Sequence, residues 1–211
     1  MYPSYTRSER VADGSMHAIG VTGAVLGAIL LLVWAAPVAS PWEVTAIAVY
    51  AVTLIATFTA SAFYHMTPWE SIRPVLRRID HAAIYLKIAG TYTPLVVMIG
   101  SGLAYVVLAI VWALAIVGMT LKLVFWSTPG RFGPALYLIM GWMSVVLVWS
   151  SWEALPFGYI VAGGLLYTVG VVFHASKNMK FANAIWHGFV VAASACFFVA
   201  ITVVTTQQTV V

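Results

Sequence analysis

The sequence predicts an all-α fold: a polytopic membrane protein whose residues 1–211 form one bundle of seven transmembrane helices. Two observations carry this prediction. The chain is 63% hydrophobic and only 8% charged, which lies outside the range of soluble proteins. It also divides into seven apolar segments, each close to the about 20 residues that a helix needs to cross a membrane. The breaks between these segments are too short to contain a soluble domain.

Turn-forming and polar residues separate the predicted spans. Prolines lie in the first break, at Pro37 and Pro41, and glycines bound the third, at Gly100 and Gly102. The spans are expected near residues 18–38, 43–65, 80–99, 102–125, 134–151, 156–174 and 183–206.

The basic residues predict the orientation of the bundle. Nine of the ten fall on one side of the membrane if there are seven spans, and the opposite loops have none. Because cytoplasmic loops are enriched in lysine and arginine, the N-terminus is expected in the cytoplasm and the C-terminus outside. The net charge of +4 fits contact with anionic membrane lipids and gives no reason to invoke nucleic acid. The nine residues are Arg7, Arg10, Arg73, Arg77, Arg78, Lys122, Arg131, Lys177 and Lys180.

All five histidines fall at the same, cytoplasmic edge of the predicted bundle. Ionisable residues at membrane depth usually face the bundle interior and mark a site, and imidazole is the commonest side-chain ligand for metals. The sequence therefore predicts one polar site, with a metal as a candidate occupant, on that side. The histidines are His17, His65, His81, His174 and His187.

Three predicted helix ends offer short polar groups at this depth. Ser61 and His65 are four residues apart, as are Asn183 and His187, and Asp80 opens the third span. This spacing puts each pair on one helical face, and a catalytic zinc needs three protein ligands and one open position. Each residue taken alone is better explained as an interfacial side chain satisfied by water and lipid headgroups. The coincidence of depth favours a site.

The same residues carry a resemblance to a known family. Four motifs in this order and spacing resemble the hemolysin III family, which belongs with the progestin and adipoQ receptors and, more distantly, the alkaline ceramidases. The resemblance implies that His65 and His187 are zinc ligands and that Asp80 and Ser61, beside the metal-bound water, either support the ligands by hydrogen bonds or act as acid/base groups. It also implies an integral protein of the bacterial inner (plasma) membrane. The motifs are Ser61-Ala-Phe-Tyr-His65, Arg78-Ile-Asp80-His81, Ile88-Ala-Gly-Thr-Tyr-Thr-Pro94 and Asn183-Ala-Ile-Trp-His187.

The chain departs from the family pattern at Asn183, where relatives carry the first histidine of an H-x3-H pair. An amide oxygen is a weak ligand for zinc. Three alternatives stay open: Asn183 coordinates weakly or holds a water, the metal has been lost, or another histidine replaces the missing one. The candidate substitutes are His17, His174 and His81.

The N-terminal stretch from Glu9 to His17 resembles the first motif of the family. Glu9, Asp13 and His17 are spaced by four, so in a helix they form one acidic and imidazole stripe. An equally good interpretation is a solvated entry helix in which Asp13 caps the first span.

Lys87 is the one basic residue that falls inside a predicted span. It lies two helical turns beyond Asp80 on the same face, about 10 Å deeper at 1.5 Å per residue. Its aliphatic stem can snorkel toward the membrane edge, or the ammonium group can have a buried partner.

Two classes of function fit this sequence. One is a zinc-dependent membrane hydrolase that cleaves a lipid amide or ester, with Asp80 and Ser61 in the chemistry. The other is a non-enzymatic protein, either cytolytic (pore-forming) as the family name implies or a membrane-state regulator or receptor. A dedicated pore is disfavoured because no polar stripe runs along the spans, and a transporter because the midplane is nearly free of polar residues.

Overall fold

The computed structural model describes residues 5–125, 132–151, 155–176 and 179–208, which form eight α-helices and no strand. Six of these helices are long and apolar enough to cross a membrane: α1, α2, α3, α4, α7 and α8. The all-α class is confirmed for this part of the chain, and the protein is an integral membrane protein. The helices are α1 (Arg7–Ala35), α2 (Pro41–Met66), α3 (Arg73–Ile99), α4 (Gly102–Leu123), α5 (Phe132–Trp142), α6 (Ser144–Ser150), α7 (Phe157–Ala175) and α8 (Ala182–Gln208).

Local capping sets several helix bounds close to those predicted. At the start of α2, Ser40 Oγ accepts from the Glu43 N–H at 3.4 Å, and Glu43 Oε2 accepts from the Ser40 N–H at 2.7 Å. This reciprocal pair is a capping box, which satisfies two backbone donors that the first helical turn leaves open. Gly100 ends α3 in the left-handed region, at φ 67°, which glycine adopts without steric cost.

Helix α1 begins eleven residues before the predicted first span. Thr6 caps it: the Thr6 hydroxyl accepts from the Glu9 N–H at 3.3 Å, and Glu9 Oε2 accepts from the Thr6 N–H at 2.9 Å. Hydropathy misses this first part because it is polar, yet it continues without a break into the apolar span. Asp13 lies inside the helix and is not its cap, so the capping interpretation of that residue is wrong and the striped-helix interpretation holds.

The fifth predicted span is not one continuous helix. The segment divides into α5 and α6 at Met143. The Tyr92 hydroxyl on α3 donates to the carbonyls of Met140 and Gly141 at 2.7 and 3.0 Å, and Ser144 Oγ also donates to Gly141 at 2.8 Å. These hydroxyls engage carbonyls that a continuous helix would use in its own ladder. The described part of the chain therefore has six uninterrupted candidate spans, and a seventh crossing here stays a prediction.

Helix α3 lies at the centre of the bundle. It packs against α2, α4, α5 and α8, while α8 also packs against α1 and α7. A Cβ at Gly90 would overlap the Thr53 side chain, so the missing side chain lets α2 and α3 approach closely. The contact between α1 and α8 is the one that matters for the site, because it brings the first and last helices together beside the end of α2.

Candidate metal centre

Three histidines converge where α1, α2 and α8 meet. The ring centroids of His17 and His187 are 4.3 Å apart, those of His65 and His187 are 4.6 Å apart, and those of His17 and His65 are 5.2 Å apart. One ring nitrogen from each of them can be chosen so that all three lie within 4.8 Å of one another, close enough to hold one metal ion. His17 and His187 are buried and His65 is partly buried.

A carboxylate lies against all three imidazoles. Asp13 Oδ1 is 2.6 Å from His187 Nδ1 and 3.7 Å from His17 Nε2, and Asp13 Oδ2 is 3.6 Å from His65 Nδ1. The 2.6 Å separation from His187 is that of a hydrogen bond, whereas separations of 3.6 and 3.7 Å are too long for one. Asp13 is buried, with 5% of its surface exposed. These imidazoles rather than water therefore compensate its charge.

One nitrogen of the cluster lacks a hydrogen-bond partner. His17 Nε2 is buried and makes no hydrogen bond to any described residue. Buried polar atoms are almost always paired, so an unpaired ring nitrogen facing a carboxylate and two other imidazoles suits a cation. The donor set of imidazoles with a nearby carboxylate suits a first-row divalent ion, zinc among them.

Of the residues considered for the missing third imidazole, His17 is the one that lies with His65 and His187. Asn183 Nδ2 instead donates to the Tyr5 hydroxyl at 3.1 Å and lies 3.5 Å from His65 Nδ1. Burial raises the pKa of the Tyr5 phenol above its ordinary value, so its hydroxyl stays protonated while it accepts from Asn183. The Asn183 side chain thus borders the cluster.

The two remaining histidines lie apart from the cluster. His81 Nδ1 is 3.3 Å from Asp80 Oδ2 on α3. The His174 ring is exposed and lies 5.0 Å from the ring of Trp186, centroid to centroid. The prediction of one common depth for all five histidines therefore does not mean one common site, because helix faces as well as depth decide which rings meet.

Asp80 and Ser61 have different relations to the cluster. Asp80 is buried, and its Oδ2 lies 3.3 Å from His81 Nδ1. Ser61 is half-buried on α2, four residues before His65, and makes no hydrogen bond within the described ranges. Burial and charge thus distinguish Asp80 from Ser61.

The start of α8 is fastened to α1. Glu9 Oε1 accepts from the Phe181 N–H at 3.1 Å, and Phe181 has a φ of 61°, which is uncommon for a bulky residue. This contact fixes the backbone two residues before Asn183 and six before His187. Glu9, Asp13 and His17 therefore act along one face of α1, the first on the backbone before α8 and the other two in the cluster.

Sequence reasoning underrated Asp13 and missed Tyr5. The four-residue spacing from Glu9 to His17 was the signal for Asp13, and it was ambiguous because an exposed entry helix shows the same spacing. No sequence signal singles out Tyr5, whose role depends on the docking of α8.

Comparison with known proteins gives one family. A family model described as Haemolysin-III related matches residues 5–198, which include the site from Tyr5 to His187. The chain is 33% identical over 198 residues to the "Hemolysin-3 homolog" of Bacillus subtilis (strain 168), covering 92% of this chain and 93% of that protein. It is 34% identical over 194 residues to "Hemolysin-3" of Bacillus cereus, with 90% and 89% covered. It is also 29% identical over 202 residues to the human "Monocyte to macrophage differentiation factor", with 92% and 83% covered.

Proposed function

This chain belongs to the haemolysin-III-related family, and we propose that it is a zinc-dependent hydrolase that cleaves an amide or ester bond of a membrane lipid. One observation carries the proposal: His17, His65 and His187 converge from three helices around a common point. Three protein ligands are the number that catalytic zinc sites use, because the fourth position must stay open for water or substrate.

Zinc is the ion we propose because three imidazoles suit it better than they suit magnesium or calcium, which prefer oxygen ligands. When bound, zinc lowers the pKa of its water to about 7 and polarises a carbonyl group, which is the chemistry that amide and ester hydrolysis requires. The unpartnered His17 Nε2 supports this assignment.

We assign Asp13 to the orientation of a ligand. Its Oδ1 lies 2.6 Å from His187 Nδ1, so it accepts the proton on that nitrogen and leaves Nε2 as the donor to the ion. Carboxylates that hold a metal-binding histidine in this way fix its tautomer and raise its basicity. Asp13 therefore acts through His187.

Proton transfer is assigned to Asp80 and hydrogen bonding to Ser61. The Asp80 carboxylate is buried, which suits a role in which it takes a proton from the attacking water and passes it to the leaving nitrogen or oxygen. Ser61 shares a face of α2 with His65, which suits a hydroxyl that donates to the developing oxyanion.

The proposed site opens at the cytoplasmic face of a bacterial inner membrane. The excess of lysine and arginine on the side where α1 begins supports this orientation. A reporter enzyme fused after Val211 should then be active outside the cytoplasm, and cytoplasmic reporter activity would reverse the orientation.

Metal analysis of the purified full chain tests the proposal directly. Elemental mass spectrometry of the wild type should find about one zinc per chain. The zinc content should fall to background in His17→Ala, His65→Ala and His187→Ala, because two imidazoles rarely retain zinc. His174→Ala is the matched control, since that ring lies apart from the cluster, and it should keep the metal.

Activity is measured with one fluorescent amide lipid, an N-acyl sphingosine, and one ester lipid, a lysophosphatidylcholine. Hydrolysis of either should disappear in the three cluster variants and in Asp80→Asn, but persist in His174→Ala. Stoichiometric zinc without hydrolysis of either probe would count against the enzymatic role while leaving the metal site in place.

A structural metal site in a non-enzymatic membrane protein is the second candidate. The observation in its favour is that Asp13 lies within 3.7 Å of a nitrogen from each histidine, so it can serve as a fourth ligand and close the site. Cobalt substitution separates the two: a lipid hydroxamate should shift the visible spectrum of an open site and leave that of a closed one unchanged.

A further inference from the structure

A small pocket lies beside the histidine cluster, where α1 and α8 meet the end of α2. It has a volume of about 280 Å³, counting its open mouth, and His65 and Asp13 are among its walls. A molecule in the pocket therefore contacts the candidate metal centre directly. The volume is just below the range of about 300–1,000 Å³ that whole small molecules occupy, so the pocket suits one polar group of a larger molecule.

Three charged side chains line this pocket, and two of them are already engaged. Asp13 Oδ1 lies 2.6 Å from His187 Nδ1. Glu9 Oε2 accepts from the Thr6 N–H at 2.9 Å, and Glu9 Oε1 accepts from the Phe181 N–H at 3.1 Å. Both carboxylates thus accept hydrogen bonds from the chain itself.

The third charged residue of the pocket is Arg10, which is exposed. Its side chain has no hydrogen bond to the described residues and no carboxylate of theirs within 4.0 Å. A guanidinium carries a permanent positive charge and five N–H donors, in a fork that matches phosphate or carboxylate oxygens. The charge that the pocket offers to a ligand is therefore a single positive one.

The position of Arg10 on α1 suits a lipid headgroup. Arg10 precedes Asp13 by three residues, which places the two on adjacent positions of one helical face. It precedes His17 by seven residues, about 10 Å along the helix axis at 1.5 Å per residue. The polar headgroup layer on each side of a membrane is about 5–8 Å thick. A lipid whose headgroup contacts Arg10 can therefore place its acyl linkage near the histidines.

We propose that the pocket binds the phosphate diester of a phospholipid through Arg10, and that the hydrolase cleaves an acyl ester of that phospholipid. The single charge of a diester matches the single charge of Arg10, and the guanidinium can donate two parallel N–H···O bonds to phosphate oxygens. A neutral amide lipid such as an N-acyl sphingosine lacks this partner. The binding stands on the pocket alone, whereas the choice of substrate rests on the proposed hydrolase.

The reaction leaves the phosphate untouched. The water oxygen forms a bond to the acyl carbon, the bond from that carbon to the glycerol oxygen breaks, and a proton passes from the water to the glycerol oxygen. The products are a fatty acid and a glycerol phosphodiester. Because Arg10 holds a group that does not react, it is a specificity residue and should contribute equally to binding of the substrate and of the transition state.

Two lipids that share a palmitoyl ester but differ in the phosphate test the choice of substrate. These are palmitoyl lysophosphatidylglycerol and monopalmitoylglycerol, presented to the purified full chain in uncharged detergent micelles. We expect the KM of the phosphate-containing lipid to be at least tenfold lower. Arg10→Gln should raise that KM at least tenfold and change kcat less than threefold, because it removes uniform binding. The kinetics with monopalmitoylglycerol should not change.

Arg7→Gln is the matched control for this variant. Arg7 is also exposed and lies one turn earlier on α1, but it does not line the pocket. It should hydrolyse both lipids as the wild type does. The zinc content of Arg10→Gln should equal that of the wild type, because Arg10 is not part of the histidine cluster.

A binding measurement tests the pocket without hydrolysis. The probe is a fluorescent, ether-linked lysophosphatidylglycerol, which has no ester to cleave, and unlabelled compounds displace it from the full chain. We expect the ether-linked glycerol lipid without phosphate to compete at least tenfold more weakly than the one with phosphate. Glycerophosphoglycerol, the soluble headgroup without an acyl chain, should compete at least a hundredfold more weakly. Arg10→Gln should bind the probe at least tenfold more weakly than the wild type, and Arg7→Gln should not differ from it.

The two measurements separate this inference from the proposed function. Binding that depends on Arg10, without hydrolysis of either ester, would reject the hydrolase and leave the phosphate pocket in place. Hydrolysis of both esters with equal KM would overturn the choice of substrate and leave the hydrolase standing. Equal affinity for the lipids with and without phosphate, or unchanged binding in Arg10→Gln, would overturn the pocket. Glycerophosphoglycerol competing as well as the lipid would assign the pocket to a soluble phosphate diester instead.

Discussion

The histidine cluster of the candidate metal centre and the ammonium group of Lys87 are both buried, but the two sites compensate their charges differently. In the metal centre, the Asp13 carboxylate and three imidazoles come from three helices and lie against each other. At Lys87 on α3, Nζ donates to the hydroxyls of Tyr167 and Ser194 and lies 4.8 Å from the centroid of the Phe58 ring, and no described carboxylate lies within 4.0 Å of it. The first site therefore sets a carboxylate against titratable imidazoles, whereas the second surrounds its charge with neutral hydroxyl and aromatic groups.

Removing the metal should produce the largest effect on stability. A ligand present at about 1,000 times its dissociation constant stabilises the folded state by about 4 kcal/mol. For a chain of this size that corresponds to roughly 8–16 °C in melting temperature, at about 2–4 °C per kcal/mol. Treatment with the chelator 1,10-phenanthroline should lower the apparent Tm by this amount. Light scattering or intrinsic fluorescence measures the unfolding transition.

The His65→Ala protein is the control for chelation, because it should already lack the metal and show no further shift. An equal chelator effect in His65→Ala and wild type would place the bound metal somewhere other than the histidine cluster, and the contrast between the two sites would lose its basis.

Asp13→Asn should give the next largest effect, on metal affinity. The amide keeps the size of the side chain but removes the charge that supports His187, and loss of such an orienting residue typically weakens metal binding about 10–100-fold. Competition with a fluorescent zinc chelator measures the change. Glu9→Gln is the matched control on the same face of α1, one turn earlier, and should alter affinity much less, because Glu9 holds backbone groups and touches no histidine.

Lys87→Met should affect stability little, in contrast to the metal centre. In the ligand-free protein, replacing an uncompensated buried charge by an apolar side chain of similar length is expected to be neutral or stabilising, by about 1 kcal/mol. Tyr167 and Ser194 keep a partner, because their hydroxyl oxygens are 3.2 Å apart. The apparent Tm of delipidated Lys87→Met should thus equal or slightly exceed that of the wild type.

A fall of more than about 5 °C in Lys87→Met would contradict this expectation. It would identify the hydrogen bonds of Lys87 as a structural link between α3, α7 and α8, worth roughly 2 kcal/mol for a chain of this size.

The sequence predicted most helix bounds because local signals set them. Ser40 and Glu43 cap α2, and Gly100 ends α3, so apolar length and capping residues were sufficient there. The break at Met143 was not predictable in this way, because it depends on the hydroxyl of Tyr92 reaching across from α3. Tertiary contacts of this kind leave no local pattern.

The same distinction between local signals and tertiary contacts applies to the residues of the candidate site. His65 and His187 follow from motif spacing, and the structure brings them together. The choice of His17 over His174 and His81 depends on which helix faces meet, and in particular on α1 lying against α8. The spacing of the motifs was readable from the sequence, but the rotation of each helix about its axis was not.

Asn183→His should have the smallest effect, although it restores the residue that the family motif carries at this position. If zinc binding depended on Asn183, a third imidazole four residues before His187 would strengthen it strongly. Here His17 already lies with His65 and His187, and Asn183 is engaged with the Tyr5 hydroxyl. We therefore expect zinc affinity to change by less than about threefold, below the effect of losing an orienting residue.

Tyr5→Phe is the control, since it removes the partner of Asn183 without adding a ligand, and it should bind zinc like the wild type. An increase of tenfold or more in Asn183→His, with His17→Ala unchanged, would move the third ligand from α1 to α8.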